Sequence, residues 1–233
     1  MSKAYFNWST GKDSALALHY LKENSSLHVD RLVTTVNSHY NRVSMHGLRK
    51  ALLLDQVAAM GLSLRIVELP EQPTMETYNS IMKKEVHQLQ KEGYTDCGFG
   101  DIFLEDLRAY REKQLTGIKC HFPLWKKDTT ALLKAFIDLG FKAIVNCING
   151  ELLDASFVGR ELDASFLKDL PKGVDPCGEN GEFHTFCYDG PIFSAPVPFE
   201  IGEKIVRHYK KPNGEIDTKT GYWFIDLKQK EGT

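Results

Sequence analysis

Two hydrophobic periods alternate along the first 150 residues of the chain. Residues 4–8 alternate in the manner of a strand, and residues 15–21 place apolar side chains three apart, which is typical of a helix. The same periods predict five further strands, at 32–37, 64–68, 97–102, 120–123 and 142–148, and four further helices, around 53–58, 73–93, 104–114 and 128–140. Six alternations of strand and helix favour an α/β fold with a doubly wound, mostly parallel sheet.

The pattern changes after Gly150. Residues 150–190 are rich in Asp, Glu and Gly and contain one predicted helix, at 161–170. Two later apolar stretches, 204–209 and 221–227, flank a turn at 212–214 and predict an antiparallel pair. We therefore predict two domains: an α/β domain over 1–126 and a smaller α+β domain over 127–233.

Composition narrows the class of protein. Hydrophobic residues make up 42% of the 233 residues, enough for a sizeable core. The net charge of −2 gives no reason to expect nucleic acid or an anionic membrane as a partner. Without a long apolar run or a signal peptide, we expect a cytoplasmic protein. The five cysteines include no CxxC pair, so we expect reduced thiols rather than a metal site.

Small and polar residues join the first strand to the first helix: Ser9, Thr10, Gly11, Lys12, Asp13 and Ser14. Such a loop lets a phosphate approach the backbone, where the helix N-terminus attracts it and a lysine adds positive charge. The Walker A motif is excluded, because Phe6 and Asp13 stand where it has Gly and Ser or Thr. An ordinary strand–helix turn is the alternative interpretation. Because ligand loops lie at the surface, we expect Lys12 and Asp13 to be exposed.

A second polar stretch, at 177–186, contains two glutamates, a histidine and two glycines. Glu179 and Glu182 could ligate Mg²⁺, orient an amine or act as a general base. From spacing alone, a solvated acidic turn is the favoured alternative. Gly98 and Gly100, at the end of the fourth strand, fit either close approach to a base or ribose or simply a tight strand end.

The loop at residues 9–14 resembles the pyrophosphate loop, Ser-Gly-Gly-X-Asp-Ser, of the N-type ATP pyrophosphatases. The second stretch resembles the Glu-Gly-Gly-Glu-Phe-Glu-Thr motif of the diphthine–ammonia ligase family, in the same superfamily. Residues 100–102 with Arg108, 123–125, 153–160 and 162–163 also resemble that family, in order along nearly the whole chain. The chain departs from the family's residues at four positions: Thr10 and Asn180 for Gly, His184 for Glu and Leu107 for Gln.

The resemblance implies a HUP/Rossmann-like fold and an ATP-dependent amide ligase that forms AMP. ATP would activate a carboxylate as an acyl-adenylate, with Mg²⁺ as cofactor, and ammonia would then displace AMP. In the family's own reaction the carboxylate belongs to diphthine. The acceptor expected here is a small-molecule or protein-borne carboxylate, with free ammonia as nitrogen donor, and a homodimer is compatible with the sequence.

We predict roles for four groups of residues. The catalytic group is Lys12, Asp13, Glu179 and Glu182, with Asp13 also as metal ligand. The ATP-binding group is Ser9, Thr10, Gly11, Lys12, Asp13, Ser14, Gly98 and Gly100. The substrate-binding group is Arg108, Asp154, Arg160, His184, Thr185 and His46.

Two other functions stay open. One is a nucleotide-sensing module without catalysis, although a sensor needs no carboxylate-rich second site. The other is a tRNA-modifying pyrophosphatase, against which the acidic net charge weighs.

Overall fold

The computed structural model describes residues 1–44, 46–208 and 221–230. The strands in chain order are β1 (Ser2–Asn7), β2 (Leu27–Asn37), β3 (Arg42–Val43), β4 (Ser63–Leu69), β5 (Asp96–Gly98), β6 (Lys119–His121), β7 (Lys142–Asn149), β8 (Phe183–Asp189), β9 (Phe199–Arg207) and β10 (Tyr222–Gln229). The helices are α1 (Lys12–Lys22), α2 (Lys50–Met60), α3 (Met75–Lys91), α4 (Glu105–Gln114), α5 (Thr129–Asp138) and α6 (Ala164–Asp169).

The first sheet is mostly parallel, as the alternation of strands and helices predicts. Its order is β3-β2-β1-β5-β6, with β4 also paired to β2, and only the two-residue strand β3 runs antiparallel. After β1, the chain forms β2, β3 and β4 on one side of β1, and it then crosses to the other side to form β5 and β6. Parallel sheets bind ligands at the carboxyl ends of the strands beside such a reversal. The loop that follows β1 lies at that place.

The second sheet is antiparallel, with the order β8-β7-β10-β9. The prediction that residues 142–148 form a sixth strand of the parallel sheet is wrong, because β7 pairs antiparallel with β8 and β10. The hydrophobic period identifies a strand, but its partners come from distant segments that the period does not encode. The antiparallel pair near the C-terminus is confirmed as β9 and β10. The turn predicted at 212–214 lies outside the described residues.

The fold class predicted from the sequence, a parallel α/β unit followed by a smaller α+β unit, is confirmed. Helix ends follow local signals. Gly61 ends α2 with φ of 63°, and the Asp128 carboxylate caps α5 by accepting the N–H of Ala131 at 2.8 Å. The division at residues 126 and 127 stays a prediction.

A shared core joins the two sheets. Phe6 and Leu18 from the first unit belong to the same buried cluster as Ile144 and Phe186 from the second. The backbone also connects them, because the N–H of Cys187 on β8 donates to the carbonyl of Thr10 at 2.9 Å. This junction brings the loop before β8 against the loop after β1.

Two smaller expectations can be compared with the structure. All five cysteines are free thiols. Across the described segments, no helix combines the length and apolar character needed to cross a membrane.

Candidate functional site

A cavity of about 480 Å³ opens at the carboxyl ends of β1, β2 and β5. Its walls come from the loop at residues 9–14, from the loop at residues 177–185 and from helices α3 and α4. We call these two loops the phosphate loop and the glutamate loop. Cavities of this size typically hold a small-molecule ligand or cofactor.

The phosphate loop is organised by its two serines. The Ser9 and Ser14 hydroxyl oxygens are 2.6 Å apart, and the N–H of Ser9 donates to Ser14 Oγ at 3.1 Å. Gly11 is the N-cap of α1 and provides no side-chain cap. The first turn of this 11-residue helix thus receives no cap from its own N-cap residue, and Thr185 Oγ1, from a distant segment, accepts the N–H of Lys12 at 3.0 Å. N–H groups that remain free in a first helical turn are the donors that an anion site at a helix N-terminus uses.

Thr10 occupies an unusual backbone conformation in this loop. It is fully buried with φ of 76°, a value that β-branched residues rarely adopt. Its carbonyl accepts hydrogen bonds from Cys187 N and Gln56 Nε2, while its hydroxyl has no partner among the described residues. Thr10 therefore holds a left-handed backbone conformation, at a cost of about 1–2 kcal/mol, at a place where the family motif has Gly.

Lys12 is buried, with 3% of its surface exposed, so the expectation of an exposed lysine is wrong. Its ammonium is 2.7 Å from Asp13 Oδ2 and also donates to the carbonyl of Cys177 in the glutamate loop. Burial opposes its charge, but the Asp13 carboxylate, Cys177 and Glu179 outweigh burial and raise the pKa of Lys12. The loop is shielded because the glutamate loop packs over it.

Asp13 is the carboxylate partner of that lysine. Burial raises the pKa of Asp13, Lys12 partly offsets the increase, and the nearby Asp175 adds to it. The negative charge of Asp13 is thus incompletely compensated within the protein. A cation arriving in the cavity would stabilise it.

Glu179 faces the cavity. Its Oε1 accepts the N–H of Ile102 at 2.8 Å, which fixes the carboxylate beside the end of β5. Burial raises the pKa of Glu179 to about 7, with smaller contributions of the same sign from Asp13 and Asp101. A carboxyl group with a pKa near neutral can both take and release a proton in the physiological range.

Glu182, three residues later, does not line the cavity. Its side chain is buried and accepts the N–H of Asp175 at 3.0 Å, the N–H of Asn180 at 2.9 Å and the Asn180 amide at 3.1 Å. These bonds close the glutamate loop on itself. The direct catalytic role predicted for Glu182 has no support in this geometry, in which the carboxylate holds the loop together.

Two histidines and a threonine complete the wall. The rings of His46 and His184 are 4.7 Å apart, and His46 Nδ1 has no hydrogen-bond partner among the described residues. Burial, followed by the charge of Lys12, lowers the pKa of His184 to about 4, and burial also lowers the pKa of His46 well below its usual value. Both rings are neutral at pH 7. Thr185 joins the two loops by accepting the N–H of Lys12 at 3.0 Å.

Four other predicted residues lie outside the cavity. Arg108 packs between the rings of Phe122 and Trp125. Arg160 pairs with Asp169 at 2.9 Å, and Asp154 accepts the N–H of Ser156 at 2.9 Å. Gly98 is needed for packing, since a Cβ there would lie 2.3 Å from Leu21 Cδ1. The structure therefore brings together only part of the predicted substrate-binding group: His46, His184 and Thr185.

Gly100 does line the cavity, and the packing around this position requires a residue without a Cβ. A Cβ at this position would lie 2.9 Å from the carbonyl carbon of Asp13 and 3.0 Å from the N of Ser14. The end of β5 therefore packs directly on the phosphate loop.

Two residues of the cavity wall were not predicted from the sequence: Asp101, which follows Gly100, and its ion-pair partner Arg111. The position of Asp101 directly after a strand-end glycine was a signal that could have identified it.

Two family models match the chain in sequence. The model for the diphthamide synthase N-terminal domain matches residues 2–118, and the model for the diphthamide synthase C-terminal domain matches residues 128–222. The chain belongs to the diphthamide synthase family. The resemblance inferred from the short motifs is thereby confirmed.

Relatives that carry the name diphthine–ammonia ligase match a shorter segment. The proteins of Danio rerio, Bos taurus and Homo sapiens are 32%, 33% and 31% identical over 91, 90 and 88 residues. Each match covers 36% of this chain and, in the same order, 34%, 33% and 33% of the relative. The chain therefore spans about a third of the length of the diphthamide synthase family members that it matches here.

One solved structure, described as a predicted subunit of tRNA methyltransferase from Methanocaldococcus jannaschii, also resembles the chain. It is 14% identical, covers 61% of this chain and 77% of its own chain, and superposes with a TM-score of 0.38. A likeness this distant adds nothing to the assignment.

Proposed function

We propose that this protein is an ATP-dependent ligase that adenylates a carboxylate and amidates it with ammonia, releasing AMP and pyrophosphate. The observation that carries the proposal is the meeting of the two loops. Lys12, on the first loop, and Glu179, on the second, line one cavity at the switch point of a parallel sheet. Membership of the diphthamide synthase family supports the same reaction class.

The phosphate loop would hold the ATP phosphates. The N-terminus of α1 and the Lys12 ammonium offer positive charge where pyrophosphate departs from the α phosphorus. An acceptor carboxylate oxygen attacks that phosphorus, and the bond to pyrophosphate breaks. Asp13 is the carboxylate suited to hold Mg²⁺, because Lys12 compensates its charge incompletely. The metal would neutralise charge on the leaving group.

Glu179 would serve the second half-reaction. Ammonia attacks the acyl carbon, the bond to AMP breaks, and one proton must leave the nitrogen to give the amide. Glu179 faces the cavity with a pKa of about 7, so its ionised form can take that proton at physiological pH. The lowered pKa values of His46 and His184 make these two rings weaker bases than the Glu179 carboxylate.

The relatives named diphthine–ammonia ligase make diphthine one acceptor to test, beside small-molecule carboxylates. The test combines α-labelled ATP, Mg²⁺, ammonia and either a diphthine-bearing protein, a metabolite extract or a tRNA pool. We expect acceptor-dependent AMP and pyrophosphate. When hydroxylamine replaces ammonia, it should trap the activated carboxylate as a hydroxamate.

Three outcomes would contradict the proposal. Acceptor-dependent ADP would show that the γ phosphate is transferred. ATP binding without turnover by any acceptor would favour the sensor, and turnover with tRNA alone would favour the tRNA-modifying enzyme. Glu179→Gln, measured alongside, should bind ATP but form little amide.

A further inference from the structure

An ion pair lies in the cavity wall where α3 and α4 approach each other. Arg111 Nε lies 2.8 Å from Asp101 Oδ2, and Arg111 Nη2 donates to Asp101 Oδ1 at 3.1 Å. The guanidinium also packs 4.5 Å from the centre of the Phe99 ring. Both side chains belong to residues that line the cavity, so the wall carries a charged pair outside the two loops.

The pair leaves hydrogen-bonding capacity unused. The ion pair with Asp101 occupies Nε and one Nη2 donor of Arg111. Within the described residues, Asp101 is the single hydrogen-bonding and ion-pair partner of the Arg111 side chain. A guanidinium carries five N–H donors, and partly buried donors without partners favour an anionic ligand.

Neighbouring groups reinforce this preference. Tyr78 and Lys83 also line the cavity. Burial raises the pKa of Tyr78, and Arg111 acts against that increase, which places the phenol near the guanidinium. Lys83 adds a second cation to the cavity wall, whereas at the phosphate loop Lys12 is paired with Asp13.

We propose that Arg111, held by Asp101, binds a second anionic group of the acceptor. The acceptor would then be a carboxylic acid with a short apolar body and a distal carboxylate or phosphate. Met82, Phe99 and Leu107 supply the apolar wall along which such a body would lie. This inference rests on the proposed function, because the acceptor's other carboxylate is the group that would be adenylated.

Equilibrium binding tests the proposal without turnover. Isothermal titration calorimetry would use the whole protein, Mg²⁺ and α,β-methylene ATP, with pentanoate, glutarate and 4-phosphonobutanoate as probes of similar length. We expect glutarate or 4-phosphonobutanoate to bind about tenfold more tightly than pentanoate, the effect of one charge-assisted hydrogen bond. The tighter of the two identifies the distal group as carboxylate or phosphate.

Variants assign the preference to Arg111. The double variant Asp101→Asn/Arg111→Gln keeps a hydrogen-bonded pair of similar shape and should lose the preference. Arg111→Lys keeps the charge without the planar fork and should retain part of it. The control Lys113→Gln removes one positive charge from an exposed position of α4 outside the cavity and should change nothing. Thermal unfolding confirms that each variant is folded.

Several results would overturn the inference. They are equal or undetectable binding of the three probes, a preference that survives the double variant, and a preference lost in Lys113→Gln. A loss of ATP-analogue affinity alone in the double variant would place Arg111 on the nucleotide instead. If the protein forms AMP but binds the three probes without an Arg111-dependent preference, only this inference is rejected. If the preference for a dianionic probe is present but no AMP forms, only the proposed ligase activity is rejected.

Discussion

The phosphate loop and the glutamate loop meet at the same cavity but are built in different ways. In the phosphate loop, neighbours in sequence interact: Ser9 with Ser14, and Lys12 with Asp13. In the glutamate loop, two identical side chains three residues apart have opposite environments. A contiguous motif can therefore identify the first loop, whereas residue type and spacing do not reveal which glutamate of the second faces the ligand.

Backbone reversals in the glutamate loop explain the difference. Gly178 and Gly181 have φ of 69° and 86°, values that favour glycine. A Cβ at Gly178 would lie 2.8 Å from the carbonyl oxygen of Phe183. These turns direct Glu179 toward the end of β5 and Glu182 back onto its own loop.

The largest effect should come from Lys12→Ala, which acts on the junction of both loops. Turnover should fall by about 10²–10³-fold, since a charge at the leaving group is lost. Stability should fall by about 1–3 kcal/mol, because Asp13, whose side chain is 29% exposed, is left without its cation. Steady-state kinetics measures the turnover, and urea unfolding measures the stability. In the double variant Lys12→Ala/Asp13→Asn we expect stability to recover, whereas turnover should stay low. Full turnover in either variant would show that Lys12 has no catalytic role.

Glu179→Gln should separate the chemical role of the glutamate loop from its structural role. Wild-type turnover should rise with pH through about 7 as Glu179 ionises, and the variant should lose this rise and about 10²-fold in rate. A pH–rate profile for both proteins tests this, and an unchanged profile would assign the proton transfer elsewhere.

The same substitution changes the dependence of stability on pH. The pKa of Glu179 is raised in the folded protein, so folding gains stability from the bound proton below the unfolded value near 4.5 and loses it as pH rises through about 7. The glutamine in Glu179→Gln does not titrate, so the variant does not lose stability as pH rises through about 7. We expect the melting temperature of the variant to exceed that of the wild type at pH 8 and to approach it at pH 4.

Glu182→Gln should affect folding rather than catalysis, in contrast to its neighbour. The amide would present an N–H₂ group to N–H donors of Asp175 and Asn180, at a cost of about 1–3 kcal/mol. Denaturant unfolding should show the loss, while turnover per folded molecule stays near that of the wild type. A large fall in turnover with unchanged stability would return Glu182 to the catalytic group predicted from the sequence.

The smallest effect is expected at Thr10. Thr10→Gly relieves the positive φ but adds freedom to the unfolded chain, so stability should change by less than about 1 kcal/mol. Thr10→Val keeps the β-branched strain and removes the unpartnered hydroxyl, which should be neutral or stabilising. Thermal unfolding compares the two variants. A strong loss in Thr10→Val would reveal a hydrogen bond to that hydroxyl.

The sequence by itself determined the features whose signals are local. The strand, loop and helix at residues 2–22 are contiguous, so their hydrophobic period and small residues predict both the elements and their anion-binding end. The caps at Gly61 and Asp128 are local in the same way. Family motifs spread along the chain were also sufficient to identify the family.

Only the tertiary structure decided the rest, because it depends on contacts between distant segments. β7 joined the antiparallel sheet through partners that lie far along the chain. The burial of Lys12 depends on a carbonyl 165 residues away, and the pKa of Glu179 depends on packing against the end of β5. Arg111 became part of the cavity through the fold of α4 against Phe99 and Asp101. Hydrophobic periods and short motifs specify which elements form, whereas the environment of a charge is set by what the fold packs around it.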